Sequence, residues 1–362
     1  MNFFKIRLAK SEFTCYDNTI VSDHRLAVGL KKERYDMKKF LALILTLLMV
    51  LSLVACGDSS APADDGGGAS APASTLRFVT GGESGTYYAF GSVLANHVTN
   101  NAGVDVVGLV GNGSQSNVYE MDDGNAELAF CQSDVMAYAY EGTNLFADTG
   151  AVDCFSTVAA LYTEQVQIVT LNPDIKTVAD LKGKSVSIGA AGSGVYFNAL
   201  DILGVYGMTE SDINPTYQSF GDSADALKNG QIDAAFIVAG APTTAVVDLA
   251  TTKDVNLVSL DADHVAKLLE TSPYYAECTI AKDVYGTADD VITVGVGAVV
   301  LARNDVSEDA VYAFVKDIFE NASTISHDKA KELDLDYASS ITSVPYHPGA
   351  AKYFAEKGIT VA

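Results

Sequence analysis

Two short stretches place hydroxyls and glycines where a strand hands over to a helix. They are Ser84-Gly85-Thr86-Tyr87-Tyr88 and Ser193-Gly194-Val195-Tyr196-Phe197, at a common offset of 109 residues. Each follows an apolar run and ends in an aromatic pair. A helix start exposes unpaired backbone N–H groups and the positive end of the helix dipole. Glycines let a ligand reach that backbone. Ser84, Thr86 and Ser193, with the N–H groups of Gly85 and Gly194, can donate to a carboxylate. Tyr87 and Tyr88 can wall a pocket and offer a hydroxyl, although successive helical residues face different ways. Two such junctions, one in each half of the chain, suggest two lobes gripping one small anion.

Three further junctions carry small or polar residues: Gly113-Ser114, Gln132-Ser133-Asp134 and Ala241-Pro242. Gly192 opens the second Ser-Gly turn. Asp134 either meets a ligand ammonium or caps its own helix, capping being the plainer reading. Tyr274-Tyr275 are candidates for a cleft mouth, Arg77 reads as structural within a strand, and His347 fits a Pro-flanked turn. Any one Ser or Gly at such a junction is an ordinary cap. Five together, two of them near-repeats, make a cleft.

Catalytic signatures are missing. The sequence has no His-Glu-x-x-His, no Gly-x-Ser-x-Gly elbow and no lysine after a phosphate-binding glycine loop. His97, His264, His327 and His347 show no metal-ligand spacing. No catalytic residue, metal or cofactor is therefore expected. A serine hydrolase using Ser84 or Ser193 is the remote alternative.

Positioning these residues requires alternating strands and helices. Strands are expected at 76–79, 105–110, 127–131, 158–162, 166–171, 184–188, 217–219, 234–238, 255–260 and 294–301. Helices are expected at 87–99, 115–121, 133–138, 178–181, 195–206, 223–229, 263–269 and 307–320, with another starting at Ala241-Pro242. Such alternation implies α/β units and mostly parallel sheets, with the ligand at the carboxyl ends of the strands. The expected first lobe takes residues 75–161 and 294–362, and the second 162–293. Two strands, 166–171 and 294–301, serve as crossovers and hinge.

The 362-residue chain carries a net charge of −23. Of its 23 Lys/Arg and 46 Asp/Glu, nine and five lie in residues 1–55, which leaves 14 and 41, a net −27. That balance excludes nucleic acid as a partner. A small anion is still compatible, because local helix ends outweigh a distant field. Only Arg77 and Arg303 follow residue 55, so a cluster of arginine forks is ruled out.

Met37-Lys38-Lys39, an apolar run to Val54, and Ala55-Cys56 form a secretory signal over residues 37–55. Leu53-Val54-Ala55-Cys56 resembles the lipobox of bacterial lipoproteins, which makes Cys56 the lipidated residue. Residues 1–36 then read as an untranslated upstream extension, and 56–74 as a flexible tether. A lipid anchor holding the body at the extracytoplasmic face of the cell membrane follows. Cys131, Cys154 and Cys278 remain, either as small buried hydrophobes or with Cys131–Cys154 as a disulfide.

The blocks also resemble a known family in order and spacing. Gly81-Gly82-Glu83-Ser84-Gly85-Thr86-Tyr87-Tyr88 with Gly91 is similar to the N-terminal motif of TAXI-type solute receptors of tripartite (TRAP) transporters. Gly113-Ser114 with Asn117, Ala129 to Asp134, Gly192-Ser193-Gly194, and Val344 to Ala350 with Tyr353 and Glu356 resemble its later blocks. Val195 departs from the family's threonine, and Ala281-Lys282 from its Pro-Gly. The resemblance implies an α/β, two-lobed type II periplasmic-binding-protein fold with two hinge crossover strands. It implies a small organic acid or amino acid, glutamate-like or 2-oxoglutarate-like, delivered to a TRAP permease. A substrate-binding lipoprotein of an ABC importer is the alternative on the same fold.

Overall fold

The computed structural model describes residues 75–362. The expected extension, signal peptide, Cys56 and tether lie outside the described residues. β1 (Leu76–Val79) leads into α1 (Thr86–Asn101), and β2 (Val106–Leu109) into α2 (Ser114–Asp122). β3 (Leu128–Gln132) runs directly into α3 (Ser133–Glu141), and the long β4 (Phe155–Thr170) follows. The next units are β5 (Ser185–Ser187) with α4 (Val195–Val205), β6 (Asn214–Thr216) with α5 (Phe220–Lys228), and β7 (Ala234–Ala239) with α6 (Thr244–Ala250). β8 (Asn256–Leu257), α7 (Ala262–Thr271), β9 (Ala276–Ile280) and the long β10 (Val291–Arg303) come next. α8 (Glu308–Glu320), α9 (Leu335–Ala338) and α10 (Pro348–Glu356) pack back on the first half.

The strands form one sheet in the order β2-β1-β3-β10-β4-β7-β5-β6, with β8 on β4 and β9 on β10. The outer strands pair in parallel, as the strand–helix alternation requires. β4 and β10 run antiparallel to their neighbours through the middle. One half of each pairs within the first lobe, and the other half with β7 or β9 in the second. Register shifts after Ala298 and Val300 mark bulges, which increase local twist where the two lobes diverge.

Each lobe has a core on both sheet faces, because successive strand residues point oppositely. In the first, Phe78 and Phe130 join Phe90 and Phe314 on one face, while Val79 and Cys131 join Met121 and Phe146 on the other. In the second, Phe236 and Val238 pack with Val186 and Ile202, while Ala235 and Ile237 pack with Leu227 and Val246. Gly91 lets α1 lie tight on β1: a Cβ there would come 2.6 Å from Thr80 Cγ2.

Several elements differ from expectation. The strands 158–162 and 166–171 are one 16-residue strand, β4. The polar run Thr163-Glu164-Gln165 reads as a break, yet Glu164 is buried inside the strand. The strand expected at 217–219 lies at Asn214–Thr216, and Tyr217 is exposed. Pro242 does not open α6, whose N-cap is Thr243. His347 caps a full helix rather than a turn, its Nδ1 accepting from Gly349 N–H at 3.3 Å.

Candidate functional site

Four helix starts share one peculiarity. The N-cap residues of α1, α2, α3 and α4 are Gly85, Gly113, Gln132 and Gly194, and none makes a side-chain capping bond. Of the other helices, α7, α8, α9 and α10 are capped by the side chains of Asp261, Ser307, Asp334 and His347, and α5 by Ser219 although its first residue, Phe220, lines the cavity; α6, with Thr243 as N-cap, has no side-chain cap. An uncapped N-terminus keeps its N–H groups for another acceptor. Three of these starts belong to the first lobe and α4 to the second.

They meet around a cavity of about 60 Å³ lined by Gly85, Thr86, Tyr87, Gly113, Ser114, Gln132, Ser193 and Gly194, among others. The lobes touch at its rim. Ser116 N–H donates to Gly192 O at 2.9 Å, Ala245 N–H to Ser84 O at 3.2 Å, and Thr86 Oγ1 to Gly240 O at 2.9 Å. Backbone meets backbone only because glycines face each other. A Cβ on Gly113, whose φ is +105°, would lie 3.2 Å from Ser193 Cα, and one on Gly194 would overlap Gln132 Oε1. The conformation is closed.

Four buried polar atoms of lining residues have no hydrogen-bond partner in the protein: Tyr87 Oη, Gln132 Oε1, Glu164 Oε2 and Ser193 Oγ. Buried polar groups are rarely left without a partner. Tyr87 stacks on Phe130, ring centroids 4.6 Å apart, which fixes its ring. Burial pushes the Glu164 carboxyl well above its usual range; nearby Tyr87 pulls it down, the Asp134 charge adds to the push, and Lys329 opposes it.

Behind the cavity lies a buried polar chain. Gln132 Nε2 donates to Asn198 Oδ1 at 3.1 Å. Asn198 Nδ2 donates to Asp134 Oδ2 at 2.9 Å and to Tyr275 Oη at 2.8 Å. Tyr275 Oη donates to Asp201 Oδ2 at 2.9 Å. Burial, with the Asp201 charge, pushes Asp134 up to about 7.

The NMT1-like family model matches residues 78–358 of this chain. The chain belongs to the NMT1-like family. Among similar solved structures is the alkanesulfonate-binding protein SsuA from Xanthomonas axonopodis pv. citri bound to MOPS, at 16% identity over 79% of this chain and 85% of that one, TM-score 0.47. Another is a putative L-cystine ABC transporter from Listeria monocytogenes, at 16% identity over 75% and 99%, TM-score 0.44. A third is the GluR0 ligand-binding core from Nostoc punctiforme in complex with L-glutamate, at 14% identity over 68% and 94%, TM-score 0.43.

In this NMT1-like chain, seven of the fifteen residues expected in the ligand site lie off the cavity. Ser84 lines an adjoining crevice with Asn112 and Phe220. Tyr88 turns away from the cavity, as its position after Tyr87 requires. Ser133 Oγ accepts from Gly297 N–H at 2.9 Å and faces a separate cavity of about 340 Å³, which Tyr274 also lines. Asp134 is buried in the polar chain, and Gly192 sits at the rim. Ala241 N–H donates to Gln165 Oε1 at 2.9 Å, and Pro242 follows it without reaching the cavity; Val238 and Ala239 line it instead.

Glu164, Phe220 and Asn198 escaped the sequence reading. Glu164 lies inside a strand, Asn198 one turn into a helix and Phe220 at the start of α5, positions where no motif marks them. Arg77 pairs with Glu127 at 2.6 Å, outside the cavity. Cys131, Cys154 and Cys278 are free thiols. Every described histidine is engaged elsewhere. His97 contacts Asp317, His264 contacts Asp261, His327 packs on Phe90 and His347 caps α10. Among the described residues, no imidazole stands beside Ser84 or Ser193.

Proposed function

We propose that this chain is an extracytoplasmic solute receptor, not an enzyme. It closes on a small carboxylate, glutamate-like or 2-oxoglutarate-like, and hands it to a membrane transporter. The observation that carries this is the convergence of four uncapped helix N-termini on a closed cavity with unpartnered polar atoms. Backbone N–H groups and helix dipoles bind a carboxylate without arginine. A cavity of about 60 Å³ holds roughly four to six water-sized groups, enough for the carboxylate and α-carbon end of such an acid. The lipobox-like Cys56 supports a lipid anchor at the membrane.

Two transporters fit. Motif blocks from Gly81 to Tyr88 and around His347 support a TRAP permease. The ABC-importer alternative draws the stronger support, from family membership together with the ABC and sulfonate receptors among similar structures. Copurification of the transporter with or without an ATPase subunit separates them.

Calorimetric titration with L-glutamate, 2-oxoglutarate, L-alanine, pyruvate and other small acids tests the ligand class. A ligand at 100 times its Kd should add about 2.7 kcal/mol to stability. Silence across all the organic acids overturns the reading.

A further inference from the structure

The amide of Asn198 has two N–H groups, and both are used. One goes to the Asp134 carboxyl at 2.9 Å and one to Tyr275 Oη at 2.8 Å. Tyr275 gives its own proton to Asp201 Oδ2 at 2.9 Å, so towards Asn198 it can only accept. Turning the Asn198 amide over would set its oxygen against the carboxylate of Asp134 and its nitrogen against the Gln132 nitrogen. The two acids at the far end thereby fix the direction of the whole chain. Asn198 presents Oδ1 to Gln132, Gln132 meets it with Nε2, and Gln132 Oε1 is left facing the cavity without a partner.

We propose that Asn198 is a positioning residue that holds Gln132 as a hydrogen-bond acceptor, so that the cavity takes an amino acid in preference to the 2-oxo acid of the same skeleton. An α-ammonium brings N–H donors to Gln132 Oε1. A 2-oxo group brings only lone pairs, which the buried oxygen repels. The inference rests on the acid-receptor reading above and adds which acid. None of Gln132, Asn198 and Asp134 is exposed by more than 2%, so water cannot soften the discrimination.

The test is calorimetric titration of the purified receptor at pH 8, above the value of about 7 to which burial pushes Asp134. The probes are two matched pairs, L-glutamate with 2-oxoglutarate and L-alanine with pyruvate. In a pair that binds, the amino member should bind at least about tenfold tighter. Equal affinities, or a preference for the oxo acid, overturn this inference and leave the carboxylate reading standing. Binding of none of the four, with silence from other acids, overturns that reading and this one with it. Asn198→Ala frees the Gln132 amide to rotate, and the ratio should fall to within about threefold of one. A structural role alone would weaken both members alike and keep the ratio, which overturns the positioning role. Gln132→Leu removes the acceptor itself and should likewise lower the ratio. The wild-type ratio and this variant decide the matter even if Asn198→Ala fails to fold.

Discussion

Glu164 lies in β4 with 2% of its surface exposed, and Asp134 is fully buried at the start of α3. Oε2 of the first and Oδ1 of the second have no partner in the protein. Tyr87, Tyr162, Lys329 and Asp134 face Glu164; Cys131, Tyr138, Asp201 and Tyr275 face Asp134. Only Lys329 among them is a cation. Both acids therefore keep their protons to higher pH in the folded chain than in the unfolded one. Between the two values the folded state binds more protons, so stability falls as pH rises. For Asp134 that window runs from 3.8 to about 7; for Glu164 it starts at 4.5 and extends well above. Ligand-free protein should lose melting temperature from pH 5 to pH 8. Asp134→Asn and Glu164→Gln should each flatten the loss. A tenfold difference in proton affinity between folded and unfolded chain is worth about 1.4 kcal/mol, and each kcal/mol moves Tm by roughly 2–4 °C in a protein of this size. A flat wild-type profile, measured by thermal denaturation across pH, would show that these carboxyls ionise freely.

Helices α1 to α4 start without a side-chain cap, at a cost that a capping Ser or Asp would relieve by about 1 kcal/mol each. Gly194 shows why one of them has no side chain. Its backbone is ordinary αR, with φ −68°, so alanine brings no strain there. The added Cβ would strike Gln132 Oε1 across the closed seam. Gly194→Ala should leave the ligand-free melting temperature within about 2 °C and raise Kd at least about tenfold, by blocking closure. Undiminished affinity in a calorimetric titration would mean that the seam is open when ligand binds. These junctions were legible in the sequence because a strand–glycine–helix turn is written locally, in Ser84 to Tyr88 and Ser193 to Phe197. What the sequence hides is set by distant packing. Glu164 reads as a break between two strands, yet it is the polar wall of the cavity. Asn198 reads as one residue of an apolar helix, and only the fold brings it against Gln132, 66 residues away. Ser133 and Tyr88 were over-read, since the residue beside a cavity-lining one faces elsewhere.

At the scale of the molecule, β4 and β10 belong to both lobes, so closure is a bend in a shared sheet rather than a meeting of separate bodies. The seam is held from two sides. On one, glycine backbones touch around the cavity. On the other, the turn Asp328–Glu332 from the first lobe sends Lys329 under the loop after β7. Its Nζ donates to Ala241 O at 3.0 Å and to Glu332 Oε1 at 2.6 Å, and lies 5.4 Å from the Tyr162 ring centroid. Only 3% of the residue's surface is exposed, so water competes little for these bonds. Opening the cleft would break the bond to Ala241 and leave the one to Glu332, which sits on the same turn. The contact therefore favours the closed state alone. Lys329→Met keeps the aliphatic stem and removes the donor. Ligand should then leave about tenfold faster, as expected for about 1.5 kcal/mol from one charge-assisted bond. Association starts from the open form and should not change. Stopped-flow measurement of both rates checks this: a slower association with unchanged release would mean that Lys329 guides the ligand in rather than holding the lobes shut.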